Sequence, residues 1–148
     1  MVLRAAARKS EDAMNTALRE HGIVTVHDQV VSLVAQRWAK AFHCKVTIHT
    51  ALEQDPWAGP QQLCDIIGWH VGSSGNTMEW MAEVETDNSI EDATTASKWR
   101  EAIVCGVPFY LLVPRGLKES AQRLAKSAFV PVSGIYEYTF ANGLCTVL

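Results

Sequence analysis

The sequence predicts an α/β fold of three layers, in which helices flank a mixed central β-sheet. Residues 63–86 hold two strand-like segments separated by a Gly- and Ser-rich turn at 72–76, which is typical of a hairpin. A helical segment follows, and then the almost wholly apolar run 108–113, which is typical of a strand covered on both faces. A hairpin that leads into a helix and a buried strand indicates a mixed sheet with helices packed on it.

The composition is that of one globular domain. The chain has 148 residues, of which 48% are hydrophobic and 20% charged, so it is long enough to bury an ordinary core. No run approaches the roughly 18 apolar residues of a membrane span. We find no secretory signal either, so the cytoplasm is the expected compartment.

The cysteines lack CxxC spacing, which predicts reduced thiols. The alternative is a zinc site built from Cys44, Cys64 and His43, His49 or His70.

The first elements are predicted to be helices. A short helical stretch opens at Ser10 and ends at Gly22, so residues 1–26 are expected to form a helical extension of a single domain that spans 1–148. Asp28 is the predicted N-cap of a second helix, in which apolar residues recur at helical spacing as far as position 42.

Caps, turns and β-branched alternation predict the remaining elements. Ser89 is expected to cap a helix that Gly106 ends, and Asn142-Gly143 is a hairpin turn. Strands are predicted at 45–50, 63–69, 78–86, 108–113, 135–140 and 144–148, and helices at 90–105 and 117–128.

Three carboxylates fall on the predicted hairpin. Asp65 lies near the start of its first strand, and Glu83 and Glu85 lie on the second strand with Val84 between them. Because side chains alternate along a strand, Glu83 and Glu85 point to the same face. Like charges this close repel each other and lose hydration, so solvent, a basic partner or a bound cation must offset the cost. Together with Asp65 they form an oxygen site suited to Mg²⁺ or Mn²⁺.

This arrangement resembles the active site of the PD-(D/E)xK superfamily of restriction-endonuclease-like nucleases. In that superfamily an Asp at the head of one strand and an acidic-x-Lys triplet on its hairpin partner form the site. Asp65 matches the Asp, with a cysteine in place of the usual preceding proline, and Glu83 matches the acidic residue of the triplet. Glu85 stands where the lysine is expected, and Lys98 on the next helix is the candidate for a migrated lysine. The resemblance covers residues 28–140.

The resemblance implies a metal-dependent nuclease that hydrolyses DNA. Asp65 and Glu83 would bind Mg²⁺ or Mn²⁺, Glu85 would hold or activate water, and Lys98 would stabilise charge.

Two alternatives to a nuclease stay open. The missing lysine at position 85 favours a non-catalytic member of the fold that binds nucleic acid or serves in assembly. The second alternative is an unrelated α/β domain whose acidic strand faces water. A homodimer is an option, with the apolar segment 144–148 as the strand that pairs with another chain, and no membrane partner is expected.

The charge pattern is compatible with a polyanionic partner. The net charge of −3 does not itself indicate nucleic acid. Acidic residues concentrate between 79 and 101, and an acidic centre with basic flanks suits a metal site that meets a polyanion, although solvated surface explains the flanks equally well. One basic group lies near the last predicted helix and is a candidate for phosphate contact: Arg115, Lys118, Arg123 and Lys126.

Overall fold

The computed structural model describes residues 25–50 and 64–148, which form a six-stranded mixed sheet with helices on both faces. The helices are α1 (Val26–Phe42), α2 (Asp87–Glu91), α3 (Thr95–Ile103) and α4 (Lys118–Ser127). The strands are β1 (Lys45–Ile48), β2 (Ile66–Gly72), β3 (Gly75–Val84), β4 (Phe109–Pro114), β5 (Gly134–Ala141) and β6 (Leu144–Val147). The predicted α/β fold with a mixed sheet is confirmed.

The strands lie in the sheet in the order in which they occur in the chain. β1, β2 and β3 form an antiparallel meander, β3, β4 and β5 are parallel to one another, and β6 is antiparallel to β5. Parallel neighbours need a crossover, which α2 and α3 supply between β3 and β4, and α4 supplies between β4 and β5. The carboxyl ends of β3, β4 and β5 therefore share one edge of the sheet.

Two cores lie on opposite faces of this sheet. On one face α1 packs its buried valines against Trp80, Ala82 and Val84 of β3. On the other face α3 and α4 pack Trp99, Ala102, Ala121 and Ala125 against Met81 of β3 and Leu111 of β4. Ala82 and Val84 belong to one core and Met81 to the other, so side chains alternate along β3 and Glu83 points away from Ala82 and Val84.

Helix α1 begins earlier than the sequence suggested. The N-cap is Thr25, and its side-chain oxygen accepts a hydrogen bond from the backbone N–H of Asp28 at 3.1 Å. The prediction that Asp28 is the N-cap is therefore wrong, because a hydroxyl three residues earlier takes that position and leaves Asp28 in the first turn. The helical stretch expected between Ser10 and Gly22 lies outside the described residues.

The single helix expected at 90–105 is two helices. Thr86 caps α2 and forms a capping box with Ser89, so the prediction of Ser89 as the N-cap is wrong. Asp92 then adopts an extended ψ of 129°, and its carboxylate accepts the backbone N–H of Thr94 at 2.8 Å. That turn ends α2 before α3 starts. Gly106, with a φ of 73°, follows the last turn of α3, as expected of a stop.

The remaining predicted elements are present with shifted ends. The hairpin strands span 66–72 and 75–84, so β2 starts after Asp65 and β3 ends before Glu85. The helix expected at 117–128 is α4, and the Asn142-Gly143 turn joins β5 to β6. Within the described ranges, no helix is long and apolar enough to cross a membrane.

Candidate active site

The hairpin brings Asp65 and Glu83 together. Ile66 pairs with Ala82 in the β2–β3 register, which places Asp65 opposite Glu83. The backbone N–H of Asp65 donates to Oε2 of Glu83 at 3.2 Å, and the backbone N–H of Val84 donates to Oδ2 of Asp65 at 2.9 Å. Asp65 is only 8% exposed. The two carboxylates predicted to bind metal are thus neighbours at the edge where β3 ends.

Glu85 is held from three directions. Trp99 Nε1 donates to its Oε1 at 2.8 Å, and the Ser89 hydroxyl donates to its Oε2. The Tyr138 hydroxyl of β5 donates to the Glu85 backbone carbonyl at 2.6 Å. Burial raises the pKa of Glu85, and the hydrogen bonds from Ser89 and Trp99 oppose that rise. Because each carboxylate oxygen has two lone pairs, these bonds fix the side chain while leaving it able to accept a water.

Glu83 has the least compensated charge of the three. Burial raises its pKa well above the usual range, and the negative charges of Asp65 and Glu85 raise it further. The hydrogen bonds to Asp65 and Cys64 act in the opposite direction and do not outweigh these effects. A cation beside Glu83 would therefore stabilise its ionised form.

His27 is a member of the site that the sequence did not reveal. It lies in the first turn of α1, and its Nε2 is 3.0 Å from Oδ2 of Asp65 while its Nδ1 is 2.9 Å from Oδ1 of Asp28. Burial lowers the pKa of His27, but the two carboxylates outweigh burial and raise it to about 9. No local motif marks this histidine, because its partner Asp65 is 38 residues away along the chain.

One cleft collects all four residues that the sequence singled out: Asp65, Glu83, Glu85 and Lys98. Its volume is about 630 Å³, and His27 lines its wall from α1. Lys98 reaches it from α3 and is exposed. The cleft therefore combines three carboxylates from the hairpin with one lysine from a helix and one histidine from another.

The donor set fits a cation held by two carboxylates. Among residues 25–50 and 64–148, no group of three or more His, Cys, Asp or Glu side chains is arranged to hold a metal ion, which also removes support for the zinc alternative there. Mg²⁺ often takes only one or two carboxylates and keeps several waters, so Asp65 and Glu83 suffice for it. The alternative that the acidic strand merely faces water is wrong for Asp65 and Glu85, because both are buried.

Comparisons with known proteins give no relative for this chain. No protein-family model, no curated protein and no solved structure matches it significantly.

Proposed function

We propose that the protein is a Mg²⁺- or Mn²⁺-dependent nuclease that hydrolyses phosphodiester bonds of DNA, on a fold of the restriction-endonuclease-like type. The observation that supports this most is the pairing of Asp65 with Glu83 at the carboxyl end of β3, inside a cleft open to solvent. Asp65 directly precedes β2 and Glu83 lies on β3, so the pair stands at the open end of a hairpin that leads through helices to a buried parallel strand. The resemblance to PD-(D/E)xK nucleases depends on this arrangement.

The proposed roles follow from the position of each side chain. Asp65 and Glu83 would hold the divalent cation, which would neutralise a phosphate and lower the pKa of a bound water. Glu85, fixed by Trp99 and Ser89, is the candidate to hold or deprotonate the attacking water. Lys98, exposed on the cleft wall, would contact a phosphate oxygen.

A second function is favoured by a specific observation. His27 already supplies a positive partner to Asp65, and the triplet has Glu85 where a lysine is expected. A site whose charges are balanced by its own side chains has less need of a metal. The alternative is therefore a non-catalytic module that binds nucleic acid or serves in assembly.

Thermal unfolding with and without millimolar Mn²⁺ separates the two proposals. A ligand that binds only the folded state must raise its Tm, so Mn²⁺ should stabilise the wild type and not the variant Asp65→Asn with Glu83→Gln. The matched control is Glu91→Gln with Glu101→Gln, two exposed carboxylates on α2 and α3, which should respond like the wild type.

Cleavage is then measured on single-stranded and duplex DNA with Mg²⁺ or Mn²⁺. The nuclease proposal expects cleavage by the wild type and the control, and none by the double variant. If Mn²⁺ does not raise the Tm and no DNA is cut, the proposal of a metal-dependent nuclease fails and the binding module becomes the better explanation.

A further inference from the structure

Helix α4 and the turn before it form an exposed basic surface. Four cations and one carboxylate occur between residues 115 and 127 of a chain whose net charge is −3. The cations are all exposed, and none lies within salt-bridge distance of a carboxylate in the described part of the chain. They are Arg115, Lys118, Arg123 and Lys126. Uncompensated positive charge on one element of an acidic protein favours a polyanionic partner.

The spacing along α4 produces a row. Lys118, Gln122 and Lys126 are four residues apart, so they lie on one side of the helix. Ala121 and Ala125 are buried against the sheet and fix the orientation of α4, which leaves the row in solvent. Lys118 and Lys126 are about 12 Å apart along the axis at 1.5 Å per residue.

The row begins at the same end of the sheet as the candidate active site. The backbone N–H of Arg115 donates to the Tyr138 carbonyl at 3.0 Å, and the Tyr138 hydroxyl donates to the Glu85 carbonyl at 2.6 Å. The amino end of α4 therefore shares the sheet edge on which the acidic cleft lies, and the row runs away from the cleft toward the carboxyl end of the helix.

Phe129, at that end, is held in an unfavourable conformation and is exposed. Its φ is 58°, and 89% of the residue is accessible to solvent. Its N–H donates to the Lys126 carbonyl at 3.2 Å, and the N–H of Val130 donates to the Ala125 carbonyl at 2.9 Å. This is the Schellman end of a helix, where glycine is the usual residue at the left-handed position. A phenylalanine here adds strain, and because its ring is exposed, burial in the core does not offset that strain.

We infer that the ridge formed by Arg115, Lys118, Lys126 and Phe129 binds single-stranded nucleic acid, with the cations on phosphates and the Phe129 ring stacked on a base. The choice of partner rests on the proposed function. Exposed aromatic rings beside cations suit single strands, because every unpaired base offers a face for stacking whereas duplex bases are already stacked on each other. The ridge would guide a single-stranded segment to or from the acidic cleft.

Fluorescence anisotropy in EDTA measures binding without cleavage. The probes are a labelled oligothymidylate, an abasic strand of the same length and a blunt duplex. Lys118→Gln with Lys126→Gln should weaken binding to the two single strands and reduce the slope of log K against log salt on oligothymidylate by roughly 1.4, because each lost phosphate contact removes about 0.7. The control is Lys40→Gln, which also neutralises an exposed lysine, here on α1, and it should bind like the wild type.

Variants at position 129 separate stacking from structure. Phe129→Ala and Phe129→Gly should each weaken oligothymidylate binding about tenfold and leave the abasic strand unchanged. Phe129→Gly should at the same time raise the Tm by about 2–4 °C, because glycine fits the left-handed position without strain. A residue with only a structural role would not become more stable and bind more weakly in the same variant.

The inference is wrong if the position 129 variants bind oligothymidylate like the wild type, or if the ridge binds phosphatidylserine vesicles and neither single strand. These outcomes are distinct from failure of the nuclease proposal. Cleavage by a protein whose ridge variants bind normally would overturn the ridge and leave the nuclease. Ridge-dependent binding of oligothymidylate without any cleavage would support the ridge and the binding module.

Discussion

Each carboxylate of the cleft has its own partners, and these determine what each residue can do. Asp65 accepts the Val84 N–H and contacts His27, whereas Glu85 is tied to the side chains around α3. Within the described residues, Glu83 accepts the Asp65 N–H and a bond from Cys64, and burial together with the neighbouring carboxylates still raises its pKa. The metal-free protein therefore keeps a proton on Glu83 over a wider pH range than on an ordinary glutamate.

The first residue prediction concerns His27 in metal-free protein. Its folded pKa of about 9 exceeds the ordinary 6.5, so its ion pairs stabilise the fold fully below pH 6.5 and lose that effect as the pH rises through 9. The full shift corresponds to roughly 3 kcal/mol. We expect about 1–2 kcal/mol, because the imidazole is 28% exposed and water screens the pair. Urea unfolding from pH 6 to 9.5 measures the loss.

His27→Gln is the matching variant, since glutamine keeps a donor toward Asp65 without a charge. Its free energy of unfolding should fall less between pH 6.5 and 9 than that of the wild type. A control is His70→Gln, where the exposed histidine of the β2–β3 hairpin contacts Glu79 at 3.5 Å. Equal pH profiles for His27→Gln and wild type would contradict the ion-pair account.

At the level of elements, Glu85 connects β3 to the two short helices that follow it. Its carboxylate accepts from Ser89 of α2 and Trp99 of α3, and its carbonyl accepts from Tyr138 of β5. The residue at the position expected for a catalytic lysine thus also determines how the crossover packs on the sheet. Stability and cleavage must be measured together to assign its role.

Trp99→Phe and Glu85→Gln separate these roles. Trp99→Phe keeps a buried ring but removes the donor to Oε1, so we expect a loss of about 2–3 kcal/mol in the free energy of unfolding. Glu85→Gln keeps an acceptor for Trp99 and gains a donor toward Ser89, so its stability should change by less than about 1 kcal/mol. If Glu85 activates water, Glu85→Gln nevertheless lowers cleavage about a hundredfold. Full cleavage by this variant would leave Glu85 with a packing role alone.

The hairpin itself depends on a close approach at Gly68. A bulge lies between Gly68 and Trp69, and a Cβ at Gly68 would overlap the indole of Trp80. Gly68→Ala should therefore cost about 1–3 kcal/mol in guanidinium unfolding. At Gly72, in contrast, the nearest atom to an added Cβ is the Gly75 carbonyl oxygen at 3.4 Å, so Gly72→Ala should change stability much less. Equal losses at both positions would contradict this explanation.

The sequence identified the strands, the hairpin and the acidic residues because each depends on local alternation and turns. It failed where two local signals competed. Thr25 and Asp28 are both good caps, and the structure decides for Thr25, whose backbone is extended and whose side chain accepts the Asp28 N–H. The sequence pattern of residues 90–105 is that of one helix, but in the structure the Asp92 carboxylate accepts the Thr94 N–H and forms a turn there. His27 could not be found because its role depends on a contact made only after folding.

Across the whole molecule, the electrostatic repulsion between the carboxylates of the acidic cleft acts on one sheet that separates two cores. β3 contributes residues to both cores, and its carboxyl end holds Glu83 and borders Glu85. Electrostatic repulsion at that edge therefore opposes the packing of α1 on one face and of α3 and α4 on the other. A cation that binds there would stabilise the whole described domain and not a single loop.

Glu83→Gln tests this coupling between charge and global stability. An acid whose folded pKa is raised binds more protons when folded, so wild-type stability falls as the pH rises above about 4.5. In EDTA the variant should match the wild type at pH 4 and exceed its Tm by a few degrees at pH 8, as differential scanning calorimetry will measure. Mn²⁺ at pH 8 should reverse the order, because only the wild type gains the cation. If the variant is less stable than the wild type at pH 8 in EDTA, Glu83 stabilises the fold through its hydrogen bonds. The proposal that its negative charge destabilises the metal-free protein would then be wrong.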